Sequence, residues 1–177
     1  MRLCCKGSLI RFNRNMSKAF SNESADEPDT LAEPPPLPPG IKNYMTPAGA
    51  RHLQEERDRL LTERKALRPD DFEGQRRLSW IERRLRFLAS RLESAQIIDP
   101  AKQPTDRVLF GAEVTLTDAQ GGLQTWRIVG FDEADLHRGR VSWMAPLAGA
   151  LLQAKLGDTV SFQKERWTIS KISYPID

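Results

Sequence analysis

Leu78, Ile81, Leu85, Leu88, Leu92 and Ala95 follow one another in alternating steps of three and four. That spacing puts them on one stripe of a helix and predicts a coiled-coil seam. An earlier seam runs through Ala50, Leu53, Leu60 and Leu67, with Arg57 and Arg64 at intervening positions and Leu61 broadening the apolar face. Thr46-Pro47 supplies its start signal, a capping hydroxyl followed by a proline suited to the first turn. Arg68-Pro69-Asp70-Asp71 breaks the pattern, because proline disfavours helix in the residue before it, and either aspartate can cap the second arm. So short a connection predicts an antiparallel helical hairpin.

The period then changes from helical to alternating. Val108-Leu109-Phe110 opens the region, and Glu113 to Thr117 alternates as a half-buried strand does. Asp118 to Gly122 reads as a hairpin turn, after which Thr125 to Val129 returns. Arg140 to Trp143 reads as a further strand, Pro146 to Ala154 as a short apolar helix, and Gly157-Asp158 as a turn. Val160 to Phe162 and Arg166 to Ser173 close the sheet. The fold class is therefore α+β, with residues 44–99 forming the hairpin and 100–177 a sheet domain, behind a linker over 1–43.

Composition narrows this picture only a little. Charged residues make up 29% of the 177, and no apolar run approaches the ~18 residues a membrane span needs. We expect a cytoplasmic monomer that does not engage a membrane. The net charge of +3 is too mild to imply nucleic acid, but its distribution is uneven. Residues 1–20 carry five bases and no acid, residues 21–40 five acids and no base, and residues 41–99 are dense in arginine. Cys4 and Cys5 are adjacent and have no other cysteine to complete a metal site. His52 and His137 are too isolated for a histidine-based site and read as surface residues.

The first fifteen residues are basic and acid-free, like a weak transit peptide, but lack the apolar core of a secretory signal. Met16 offers an alternative start, which is the reading favoured here, and it would leave both cysteines outside the native protein. Ser21 to Gly40, acidic and then proline-rich through Pro34-Pro35-Pro36-Leu37-Pro38-Pro39-Gly40, reads as an extended tether.

Two groups of side chains carry candidate chemistry. Arg77, Arg84 and Arg91 repeat every seven residues on the second arm, with Arg76 and Arg83 in a neighbouring row. This stripe is either a solvated face with glutamate pairs along its own helix, or a surface for an acidic protein groove or nucleic-acid phosphates. Asp70, Asp71 and Glu73 cluster between the arms. They either cap the second helix and complement its dipole, or form an acidic tip.

Several motifs in order resemble the GreA/GreB family of bacterial transcript-cleavage factors, GreB-type. These are Asn43 to Pro47 ahead of the first arm, Ile81 to Leu88 and Ile97-Ile98-Asp99 around the second, Phe110-Gly111-Ala112 before a strand, Arg127 to Glu133, and Ala145 to Leu152 before Gly157-Asp158. Met16 to Phe20 resembles the opening of the proteobacterial GreB proteins. The resemblance covers residues 42–174 and implies an FKBP-like C-terminal domain that docks at the secondary channel of RNA polymerase. It assigns Asp132, Glu133, Pro146, Leu147, Ala150 and Leu151 to the partner-binding surface, although Pro146, Leu147, Ala150 and Leu151 equally suit closure of the core. Family members insert the hairpin into the channel and present acidic tip residues, whose oxygens suit Mg²⁺. The factor lends carboxylates to the polymerase and is not an enzyme itself. It has no cofactor or metal of its own, Mg²⁺ entering only in complex with the polymerase.

This chain departs from the family at that tip. The family's Gly-Asp-Arg-Ser-Glu-Asn-like stretch is missing, and the region between the arms is shorter by about fifteen residues, or on the order of 10 Å of reach at 1.5 Å per residue. Asp70, Asp71 and Glu73 are the nearest carboxylates. Ala145 and Gly149 also stand where the family helix carries Ser and Arg. The primary expectation is a factor that rescues arrested or backtracked complexes by stimulating the polymerase's own transcript cleavage, touching nascent RNA and DNA only indirectly. A binding-only polymerase regulator, like the short-hairpin relatives typified by the regulator of nucleoside diphosphate kinase, is the first alternative. A basic DNA-binding module is the second.

Overall fold

Helix α1 (Pro47–Ala66) starts where Thr46 caps it, the hydroxyl accepting from the Gly49 amide at 3.0 Å, with Pro47 in the first turn. In the computed structural model, which describes residues 37–68, 70–162 and 165–176, α1 is followed after five residues by α2 (Phe72–Glu93). The Asp71 carboxylate caps α2 by accepting from the Gly74 amide at 2.7 Å. Expectations for residues 1–36, including the start at Met16 and most of the acidic tether, lie outside the described residues. Where description begins, Pro38 to Ile41 forms a turn, the Ile41 amide donating to the Pro38 carbonyl at 3.2 Å.

The two helices lie side by side and run in opposite directions. Arg84 pairs with Glu56, and Arg77 with Glu63, so partner numbers fall along one helix as they rise along the other. Leu53, Leu60, Ile81 and Leu88 are buried between them, and Met45 and Ala50 extend this core at the base. Leu78, Leu85 and Leu92 are only half-buried, as a two-helix unit with open flanks dictates. Ala95 does not continue the helical seam. It belongs to β2 (Ala95–Ile97), which pairs in parallel with β1 (Asn43–Met45). Neither three-residue strand was legible in the sequence, because three residues do not establish a period.

A second core fills a five-stranded sheet ordered β5–β4–β3–β7–β6. Its strands are β3 (Glu113–Thr117), β4 (Leu123–Val129), β5 (Arg140–Ser142), β6 (Thr159–Phe162) and β7 (Glu165–Ser173). The inward residues Val114, Leu116, Ile128, Val141, Val160, Trp167 and Ile169 pack against α3 (Pro146–Leu151). Val108-Leu109-Phe110 is not a strand. Val108 exchanges hydrogen bonds with the chain just after α3, its amide donating to Ala154 and its carbonyl accepting from Gln153. The helix expected to reach Ala154 stops at Leu151, and Gln153 turns the chain with a φ of 71°. Pairs β3–β4, β3–β7 and β6–β7 are antiparallel, whereas β4 and β5 are parallel, joined by the connection through residues 130–139. No described helix is long and apolar enough to cross a membrane.

Candidate functional site

The helix pair has a solvent-exposed tip and a buried base, and the candidate residues divide between them. At the tip Asp70, Asp71, Phe72 and Glu73 are all exposed, Phe72 at 75%. Asp71 is committed to its capping bond, while the carboxylates of Asp70 and Glu73 have no partner among the described residues. Glu73 also lies in the first turn of α2, where a negative charge complements the helix dipole. Arg76 lies 5.9 Å from the Phe72 ring. Among the described residues no three histidine, cysteine or carboxylate groups converge to hold a metal.

The base is a buried clasp between the helix pair and the sheet. Glu133 accepts from the Thr46 amide at 2.8 Å, from the Thr46 hydroxyl, and from the Gly130 amide at 3.2 Å. Gly49 makes room for this carboxylate, since a Cβ there would stand 2.2 Å from the Glu133 Cδ. Arg91 pairs with Asp132 at 3.2 Å, with side-chain exposures of only 6% and 8%. The Arg91 guanidinium lies over Phe87 and Phe131, at 4.9 and 5.7 Å. Burial pushes the Asp132 carboxyl above its ordinary pKa, and the charges of Arg91 and Arg84 act against that shift. Asn43 donates to the Arg91 carbonyl at 2.8 Å, and Tyr44 packs against Phe110 and Trp143.

These positions revise the arginine stripe. Arg77, Arg84 and Arg91 do not pair with glutamates along their own helix; they reach carboxylates on other elements, Arg77 from an exposed position and Arg91 from a buried one. Arg77 and Arg84 each make two bonds of 2.6–2.8 Å across to glutamates of α1, and Arg91 is buried at the base. Their seven-residue repeat follows the flank of the seam, where long side chains reach the facing helix. Arg76 and Arg83 remain exposed.

The surface assigned to partner binding is revised too. Leu147 and Leu151 are 7% and 0% exposed and close the sheet core, because they project from the side of α3 that packs on it. Asp132 and Glu133 turn inward to the clasp. Pro146 is exposed and Ala150 partly so. Glu133 as a partner for Thr46 left no local signal, since 87 residues separate them.

Residues 103–174 match the family described as transcription elongation factor, GreA/GreB, C-terminal. The transcription elongation factor GreB of Neisseria meningitidis serogroup A is 39% identical over 136 residues, a match covering 67% of this chain and 83% of that protein. The chain belongs to the GreA/GreB family of transcription elongation factors. GreB of Haemophilus ducreyi is 38% identical over 152 residues, covering 75% of this chain and 94% of that protein. The GreA/GreB factor of Nitrosomonas europaea overlays 75% of this chain and all of its own at 19% identity and a TM-score of 0.39. Family membership rests on the sequence relatives. Two thirds of this 177-residue chain is fewer than the 136 aligned positions, so the Neisseria GreB carries positions that have no counterpart here.

Proposed function

We propose that this GreA/GreB-family chain binds RNA polymerase at its secondary channel and stimulates the polymerase's own cleavage of backtracked transcripts. In this reading the helix pair is a coiled-coil probe and the sheet is an FKBP-like docking module. The chain is an accessory factor, not an enzyme. The carrying observation is the tip, where Asp70 and Glu73 hold exposed carboxylates without a partner among the described residues, at the far end of a helix about 30 Å long. Pro146 and Ala150 are the members of the α3 group that remain available for docking.

Asp70 and Glu73 would contribute oxygens to a Mg²⁺ ion held chiefly by the polymerase. When bound, such an ion orients and activates the water that attacks the phosphodiester. The residues of this chain place the carboxylates: the Asp71 cap holds the start of α2, the interhelical glutamate–arginine pairs align the arms, and the clasp sets the angle of the probe.

A second reading, a regulator that binds the polymerase without promoting cleavage, is supported by two observations. Asp71 is already occupied as a cap, and the five-residue connection leaves little room for a longer acidic tip. The DNA-binding alternative is weakened because Arg77, Arg84 and Arg91 are committed within the chain.

The test is a stalled, backtracked elongation complex supplied with Mg²⁺ and the full chain, scoring the released 3′ RNA fragments. Faster cleavage that is lost on combining Asp70→Ala with Glu73→Ala supports the first reading. Polymerase binding with unchanged cleavage supports the second. No polymerase binding at all sinks both.

A further inference from the structure

The two flanks of the helix pair are finished differently. On one, Arg77 and Arg84 reach across to Glu63 and Glu56, and their guanidinium groups lie over Trp80 and Phe87 at 4.3 and 4.9 Å. Leu85 follows Arg84 by one residue, and a helical step of about 100° carries it to the other side of the buried Ile81–Leu88 line. There the pair has an open groove of about 540 Å³, whose apolar floor is Leu61, Leu85 and Ala89. Both leucines are only half-buried and Ala89 is exposed.

The rim of the groove is charged. Arg57 and Arg64 line it from α1, and Glu82 and Arg86 from α2. Arg57 is held by its neighbour Asp58 at 2.9 Å. Arg64 and Arg86 are exposed and have no partner among the described residues. With Asp58 set against Arg57, and Glu82 against either of the other two, the rim still carries an excess positive charge. That excess disfavours a second copy on this flank, which would bring the arginines of two chains together, and favours a partner with carboxylates. The shape specifies the rest. A groove between two packed helices takes a third helix, whose apolar residues at i, i+3, i+4 and i+7 fill it. From Arg57 to Arg64 is about two turns, or on the order of 10 Å.

We propose that this groove docks one amphipathic helix of a partner protein, with an apolar stripe over Leu61, Leu85 and Ala89 and flanking glutamates or aspartates that meet Arg64 and Arg86. The docked helix turns the pair into a three-helix bundle and completes the burial of both leucines. Apolar contact supplies the affinity, and the charges at the rim fix orientation and exclude basic helices. The surface runs along the arms and uses none of the tip carboxylates, so it is separate from the function proposed above.

The test is fluorescence anisotropy of a labelled synthetic helix with the full chain at low salt. The probe has about two heptads, with leucine at a and d and glutamate at e and g. One control peptide replaces each glutamate by lysine, another each leucine by serine. Sedimentation gives the state of the chain alone. The expected result is a monomeric chain with one saturable, micromolar site for the glutamate peptide. Both control peptides, and Arg64→Glu combined with Arg86→Glu, should weaken it about tenfold or more. Arg83→Glu, a reversal at an exposed position on the far side of α2, should leave binding unchanged. If the double reversal unfolds the chain, Ala89→Gln narrows the groove without changing its charge, and should still weaken binding several-fold. Four results would overturn the proposal: no saturable binding at millimolar peptide, equal binding of the glutamate and lysine peptides, equal losses in the double reversal and Arg83→Glu, or a dimer that Ala89→Gln dissociates, which would put a second copy in the groove.

Discussion

Two arginine–carboxylate pairs involving α2 sit at its opposite ends, and their carboxylates respond in opposite directions. Towards the tip Arg77 holds Glu63 at 2.6 Å in a pair open to water, and its hydrogen bonds draw the Glu63 pKa below the ordinary value. At the base Arg91 faces Asp132 inside the clasp, and there burial raises the carboxyl despite the neighbouring guanidinium. The difference lies in solvation. In water the partner's attraction decides the shift, whereas in the interior the lost hydration outweighs it. The exposed end can therefore present charge to a partner at little cost. At the buried end each charge of the pair faces the other away from water, which makes the base the less tolerant region.

Removing one member of the buried pair should give the largest effect. Arg91→Ala leaves Asp132 uncompensated and is expected to lower stability by about 3–5 kcal/mol, read from the denaturation midpoint. A loss under 1 kcal/mol would mean that the clasp is not the anchor described here.

Gly49→Ala tests the base more finely. Alanine improves the helix by about 1 kcal/mol, but its Cβ evicts the Glu133 carboxylate, whose charge-assisted bonds to Thr46 are worth about 1.5–3 kcal/mol. The expected net result is destabilisation by about 1 kcal/mol, accompanied by a loss that Glu133→Gln does not add to. A stabilised Gly49→Ala would show that Glu133 finds another position without cost.

At the tip, Asp71→Ala removes the cap of α2 and should cost about 1 kcal/mol, while Asp71→Asn, which can still cap, should cost much less. Equal losses would assign the effect to charge and not to the hydrogen bond.

The smallest effect is expected at Glu63→Gln. An exposed pair contributes about 0.2–1 kcal/mol, and with the carboxylate about one third exposed the lower part of that range applies. Because the folded state lowers the Glu63 pKa, this contribution is fully present above the ordinary carboxylate value and is lost as pH falls through the folded value. Denaturation midpoints of the two proteins should therefore differ slightly at neutral pH and converge on acidification. Asp132 has the opposite sign: its raised pKa makes its contribution decline as pH rises from the ordinary value to the folded one.

Local pattern carried the helix starts, the seam and most of the strands. Thr46 and Asp71 act on amides three residues away, and Leu53, Leu60, Ile81 and Leu88 are spaced by the helix's own geometry. The motif order and the acidic position of the tip were equally visible, and with them the family. The roles of the arginines were not, because a seven-residue repeat states which side of α2 they occupy and not what stands opposite. Glu56, Glu63 and Asp132 acquire their roles only when the second helix and the sheet are in place. The same holds for Leu147 and Leu151 against the core. By itself the sequence determined what depends on neighbours within a few residues. Tertiary structure decided which charges are spent within the chain and which remain for a partner, because pairing and burial depend on groups that meet only when distant segments pack.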